Sequence, residues 1–147
     1  MDDIDHEILR HLSKDGRLSN TALAERVGLS ASACVRRVQA LEKDGVIRGY
    51  RAVVDRAAVG IGFVAYIAVG LSKHTKQEQK SFERAIGAAR VVRECHNVTG
   101  AIEYLLRVEV ADLVAYKHFH TEVLGALPQV ATITSYIVMD SSKDERG

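Results

Sequence analysis

Cysteine is scarce in this chain of 147 residues: two, Cys34 and Cys95, far apart. Nothing at its start has the pattern of a secretory signal, because Met1 leads straight into Asp2 and Asp3. No disulfide framework is expected, and a cytoplasmic, reducing setting is. An excess of one charge is lacking too. Twenty basic residues face nineteen acidic ones, a net of +1, so the whole-chain balance gives no hint of a polyanionic partner. Long apolar runs are missing as well. The uncharged stretch 57–71 has only 15 residues with three glycines, and 123–139 is interrupted by Gly125, Pro128, Gln129 and several hydroxyls. A membrane-spanning helix needs about 20 apolar residues, so no membrane partner is expected. What remains is an average composition, 47% apolar and 27% charged, which excludes fibrous and low-complexity classes.

The apolar spacing is helical at first. Ile4, Ile8, Leu9 and Leu12 make one stripe, and Asp15-Gly16 offers a stop in which glycine takes the left-handed conformation. Ser19 can cap a short second helix with Leu23, Ala24 and Val27 inside. Gly28-Leu29-Ser30 then supplies a turn, an apolar anchor and a cap for a third helix from Ala31 to about Lys43, ended by Asp44-Gly45. Residues 46–54 alternate and read as extended. Two helices joined by a glycine turn and followed by a strand suggest a winged helix-turn-helix over 1–50, with a linker strand over 51–61.

From Gly60 the period changes to two. Strands are expected over 63–71, 91–99, 104–110 and 132–139, with helices over 76–89 and 112–127 between them. This βαββαβ order is the ferredoxin-like arrangement, spanning 62–140 and followed by a solvated tail over 141–147. The fold class is therefore α+β. The first strand is apolar on both sides: Phe63, Ala65, Ile67, Val69 and Leu71 on one, Val64, Tyr66 and Ala68 on the other. In the last strand Ile133, Ile137 and Met139 oppose Tyr136 and Val138. Two helices cover one face of such a sheet, and a face open to water should alternate with polar residues. A second copy of the chain, or the N-terminal domain folded back, is expected to cover the other.

Centring the buried face of the third helix on Val38 turns Ser32, Ala33, Arg36, Ala40 and Lys43 outward, with Arg37 and Gln39 on the flanks. That face is small at its start and basic beyond, which suits entry into the major groove of duplex DNA. Ser30 and Ser32 can bond phosphates beside the free amides of the first turn. Residues 17–51 hold seven basic side chains against three acidic ones, a basic segment concealed in a near-neutral chain. The candidate DNA contacts are Ser30, Ser32, Ala33, Arg36, Arg37 and Lys43.

These residues also resemble a family. Asp15-Gly16-Arg17-Leu18-Ser19, the run from Leu23 to Ser32, Arg36-Arg37-Val38 and the run from Leu41 to Tyr50 are similar to the Lrp/AsnC (leucine-responsive, feast/famine) transcriptional regulators. Glu94-Cys95-His96, Val98-Thr99-Gly100, Tyr104 to Val108, Leu127-Pro128 and Thr134 to Val138 continue the likeness through residue 140. The resemblance implies a dimeric α+β barrel whose sheets pack face to face, with homodimers often assembling into octamers. It also implies operator binding and a free amino acid held between dimers, in keeping with control of amino-acid metabolism. The effector site would comprise Gly100, Ala101, Ile102, Glu103 and Tyr104, with Thr134, Ser135 and Tyr136 nearby. The family often has G-D-x-D where this chain has Gly100-Ala101-Ile102-Glu103, so one carboxylate for the ligand's ammonium is missing.

No cofactor or metal is expected. Cys95 and His96 point to opposite sides of a strand, and His118 and His120 do not share a helical face. Nor is an enzyme: phosphate loop, nucleophile elbow and acid/base pair are all wanting. An architectural DNA-binding protein without effector response, a ligand-binding module without DNA function and a ferredoxin-like enzyme are the alternatives.

Overall fold

The structure is a computed structural model and describes residues 1–145; the expected tail lies outside the described residues from Arg146 on. The chain divides into two compact units, Met1–Val53 and Val54–Gly147.

In the first unit, α1 (Asp3–Lys14) starts with a capping box. The Asp2 carboxylate accepts from Asp5 N at 2.9 Å, and that of Asp5 accepts from Asp2 N at 3.0 Å. Ser19 caps α2 (Asn20–Val27) and Ser30 caps α3 (Ala31–Lys43) through their hydroxyls. Between them Gly28 takes φ 71°, the left-handed conformation a side chain would resist. Ile8, Leu23, Ala24, Cys34, Val38 and Leu41 form the buried core, joined at its rim by Ile47.

Three local expectations differ. Asp15 closes α1 in an extended conformation, and Gly16 is not left-handed; its place is explained instead by the Tyr50 ring, 3.3 Å from where a Cβ would stand. Residues 46–54 form no strand: a strand needs a ladder partner, and among the described residues none is paired with them. The segment is held by Ile47 N donating to Leu41 O at 3.0 Å and by Tyr50 Oη donating to Glu42 Oε1 at 2.9 Å. The linker strand over 51–61 is likewise absent, replaced by a 3-10 turn at Ala57–Val59.

In the second unit, β1 (Phe63–Leu71), β2 (Val92–Asn97), β3 (Tyr104–Val110) and β4 (Val130–Ile137) form one antiparallel sheet in the order β2-β3-β1-β4. Helices α4 (Lys76–Gly87) and α5 (Leu113–His118) bury Phe82, Ile86 and Tyr116 in one core with Ala65, Ile67, Val69, Leu106 and Val108. The single helix expected over 112–127 is interrupted. From Phe119 to Leu124 it widens into a π-helix, whose long-spaced bond runs from Gly125 N to His120 O at 2.8 Å. Strand β4 starts two residues earlier than its periodicity suggests, because an irregularity at Gly70/Leu71 brings Val130 opposite Leu71.

The register settles which residues share a side. Ile137, Ser135 and Ile133 face Ala65, Ile67 and Val69 on the helix-covered side, whereas Tyr136 pairs with Tyr66 and Thr134 with Ala68 on the outer one. On the outer side of β3 lie Leu105, Arg107 and Glu109. Arg107 is buried and ion-paired to Glu109, which also accepts from Arg56 Nε at 2.8 Å; Asp144 lies 3.8 Å from Arg56. Burial alone would raise the Glu109 carboxyl, but the two guanidiniums outweigh it and hold the group below its ordinary value. The chain's own linker and tail therefore cover one corner of the outer face with charge, while Tyr136 remains 59% exposed.

Candidate functional site

Helix α3 carries the first set of candidates. Ser32, Arg36 and Lys43 are exposed, and Ala33 is half-buried. Ser30 is occupied as the cap, its hydroxyl accepting from Ala33 N at 3.2 Å and lying 3.3 Å from the Ser32 hydroxyl. Arg37 is elsewhere engaged: its Nη1 donates to both Asp2 carboxylate oxygens and to Asp5 Oδ1, each at 2.8 Å. The same two acids that cap α1 thus clamp it to α3. The Arg37 bond, then the Asp5 amide, lowers the Asp2 carboxyl to about 2. The D-x-x-D of residues 2–5 was the sequence signal for this clamp, but it announces only a helix start.

The second set centres on the β2–β3 connection. Gly100 has φ 129°, which favours glycine, and Ala101 is exposed beside it. Glu103 is tied down on every side. Its Oε2 accepts from Leu71 N at 2.6 Å and its Oε1 lies 2.7 Å from His74 Nδ1. Its backbone N donates to Val69 O, and its carbonyl accepts from Val98 N and Asn97 Nδ2. Gly70 lets this cluster close, since a Cβ there would collide with the Thr132 hydroxyl and approach Glu103 Oε2 to 3.7 Å.

Glu103 therefore gathers with Gly70, Leu71, His74 and Thr132 at one end of β1, with residues 100–102 preceding it in the connection. Thr134 and Tyr136 share Thr132's side of β4 but stand about 7 and 14 Å further along it. Tyr104 points into the core, 1% exposed, with its hydroxyl donating to Glu83 Oε1 at 2.7 Å. Burial, then Glu83, pushes that hydroxyl far above its usual range. Ser135 is bonded to the Tyr116 hydroxyl on the helix side. His74 and Thr132 were missed from sequence because their proximity to Glu103 depends on the register of β1 with β3 and with β4.

An apolar groove lies elsewhere. About 530 Å³ between α4 and α5 is lined by Ala85, Ala89, Val91, Val110, Ala115 and Phe119 among others. Its wall contains no carboxylate for an ammonium, so the Glu103 cluster is the better match to an α-amino acid. Cys95 pairs with Leu106 and His96 with Leu105, on opposite sides of the sheet. Among the described residues no group of three or more His, Cys, Asp or Glu could hold a metal ion.

A helix-turn-helix with an outward basic helix, joined to a ferredoxin-like unit, defines a class: DNA-binding regulators with a ligand-sensing domain. The family models agree, matching winged helix-turn-helix DNA-binding over residues 1–48 and the Lrp/AsnC ligand binding domain over 64–147. The chain is 40% identical to a leucine-responsive regulatory protein of Rhizobium meliloti, covering 98% of this chain and 92% of that one. It is 37% identical to a proline dehydrogenase transcriptional activator of Rhizobium radiobacter, over 97% and 94%. A crystal structure of a transcriptional regulator from Neisseria meningitidis in complex with L-Met superposes with a TM-score of 0.94 at 33% identity, covering 98% and 93%. The chain belongs to the Lrp/AsnC family of transcriptional regulators. It is a DNA-binding transcriptional regulator with an Lrp/AsnC ligand-binding domain, not an enzyme.

The clamp yields a pH-dependent prediction. Asp2 has a folded value near 2 against about 3.9 unfolded, so its contribution is complete above pH 4 and disappears as pH falls through 2. Arg37→Ala should lower the Tm at pH 7 more than Arg36→Ala does, and the gap should close near pH 2. Equal melting of the two variants at pH 7 would show the clamp to be inert.

Proposed function

We propose that this regulator reads its operator with the exposed face of α3, through Ser32, Arg36 and Lys43, with Ser30 and Ala33 framing the close approach of the first turn. The observation that carries this reading is the division of labour between adjacent arginines. Arg36 is exposed, whereas Arg37 is committed to Asp2 and Asp5 and acts by fixing α3. Arginine at such a position can pair with guanine O6 and N7. Arg36→Ala should weaken operator binding by roughly 1–3 kcal/mol and relax the preference at one base pair, as read by footprinting and mobility shift with competitor DNA. Equal affinity for operator and random duplex would instead mark a nonspecific architectural protein.

The working unit in the cytoplasm is a homodimer joined through the outer face of the sheet, with octamers built from it. Support comes from Val64, Tyr66, Ala68 and Leu105, apolar side chains on the face turned away from α4 and α5. A second copy is the shortest route to covering them. Sedimentation at micromolar concentration should give a dimer or larger species; a monomer overturns this assembly.

The effector is a free amino acid held where Gly100, Ala101, Ile102 and Glu103 meet Thr132 and, further along β4, Thr134 and Tyr136; Tyr104 and Ser135 support the site from the core side. L-Met, held by the Neisseria regulator, is one member of the class. Glu103 already serves Leu71 N and His74, and Ala101 supplies no second carboxylate, so the response is weak. In a thermal-shift panel of the twenty amino acids, the active one should raise Tm modestly. Ala101→Asp should enlarge the shift, and Glu103→Gln should abolish it while still accepting from Leu71 N. A shift that survives Glu103→Gln unchanged places the site elsewhere.

A further inference from the structure

The near-neutral chain contains a second basic segment. Residues 73–93 hold Lys73, Lys76, Lys80, Arg84, Arg90 and Arg93 against only Glu78 and Glu83. Together with residues 17–51 they account for 13 of the 20 basic side chains, and what is left of the chain has seven basic residues and fourteen acidic ones. The neutrality of the whole is thus the sum of two basic patches and an acidic remainder. One patch lies in the DNA-reading unit; the other lies in the ligand-sensing unit, where operator reading does not account for it.

The placement of these side chains gives that second patch a shape. Lys76, Lys80 and Arg84 follow one another at four-residue intervals along α4, within about 80° of arc, on the side opposite Phe82 and Ile86. Past the helix end, Arg90 lines a cleft with Ala85 and Ala88, and Arg93 lines another with Glu83 and Gly87, so one guanidinium flanks each side of the last turns. All six cations are exposed. Lys80 lies 3.6 Å from Glu83, a carboxylate that also accepts from the Tyr104 hydroxyl. Among the described residues, Lys73, Lys76, Arg84, Arg90 and Arg93 form no ion pair. Five unpaired cations in 21 residues repel one another, at a cost that a bound polyanion removes.

We propose that the exposed face of α4, with Arg90 and Arg93 beside its end, is a second, sequence-independent contact for duplex DNA, engaging phosphates that flank the operator. The charges are spread over roughly 12 Å of helix instead of converging in a pocket, which fits the repeating phosphates of a duplex better than one small anion. The operator-reading unit of the same chain supplies the high local concentration of DNA that a weak phosphate contact needs. The inference rests on operator reading through α3 and deepens it.

The experiment compares full-length protein on an operator of about 20 base pairs, enough for two half-sites, with the same operator inside about 60 base pairs, at 50–200 mM salt. Wild-type protein should bind the longer fragment more tightly and with a steeper salt dependence. Replacing Arg84, Arg90 and Arg93 together by Gln should leave the short operator unaffected. On the long fragment it should reduce the slope of log K against log salt by about two to three and erase the length advantage. Should that variant melt early, Lys76→Gln with Arg84→Gln takes its place, with a slope loss of about two. An unchanged slope on the long fragment, or equal loss on both lengths, overturns the proposal. Arg36→Ala, by contrast, should weaken both lengths alike; its failure to do so counts against operator reading and leaves the length comparison standing.

Discussion

Strand β1 sits between β3 and β4, and its two-residue period decides what every neighbour can do. Ala65, Ile67 and Val69 are fully buried, which commits their side of the sheet to α4 and α5. Val64, Tyr66 and Ala68 are by the same geometry sent to the side away from α4 and α5. A one-residue slip would exchange the two sets and expose the core, so the pairing is held strongly. The register also delivers Leu71 N to the Glu103 carboxylate and Thr132 to Gly70. The apolar outer face and the candidate effector cluster are both consequences of one strand's register.

Charge is organised on a similar economy. The acids at the start of α1 satisfy its free amides, favour its positive end and grip Arg37. One of two neighbouring arginines is thereby withdrawn from solvent competition and made structural, while Arg36 stays exposed. On the sheet's outer face, Glu109 is shared between Arg107 and Arg56, drawing the linker onto the ligand-sensing unit. Acidic residues in this chain are largely employed in holding basic ones or backbone amides. Among the basic side chains left over, Arg36 and Lys43 lie on α3, and Lys73, Lys76, Arg84, Arg90 and Arg93 lie on or around α4.

Sequence patterns made the helices and the central strands legible because each has a strong local cause. Ser19 and Ser30 cap where hydroxyls precede apolar periodicity, Gly28 turns where only glycine is unstrained, and Phe63–Leu71 and Tyr104–Val110 are apolar-rich runs of strand length. Segments whose structure depends on a distant partner were read less well. Residues 46–54 alternate like a strand, yet alternation does not supply a ladder partner. The π-helix at Phe119–Leu124 has the same composition as an α-helix, and the closeness of Gly125 to the His120 and Thr121 carbonyls is visible only in three dimensions.

The candidate sites show the same division at the level of single residues. Helical periodicity correctly sorted Val38 and Cys34 inward and Ser32, Arg36 and Lys43 outward, but it could not say what a flanking residue would meet. Arg37 met Asp2 and Asp5, 35 and 32 positions away, and Glu103 met Leu71 and His74. In both cases the side chain was expected to wait for an external ligand, and in both an internal partner occupies it. For Arg37 the consequence is a fixed helix. For Glu103 it is a competition, because an ammonium drawn to that carboxylate must share it with the end of β1. If the proposed effector is held there, a ligand that wins this competition loosens the bond to Leu71 N, and its recognition and the register of β1 draw on the same carboxylate.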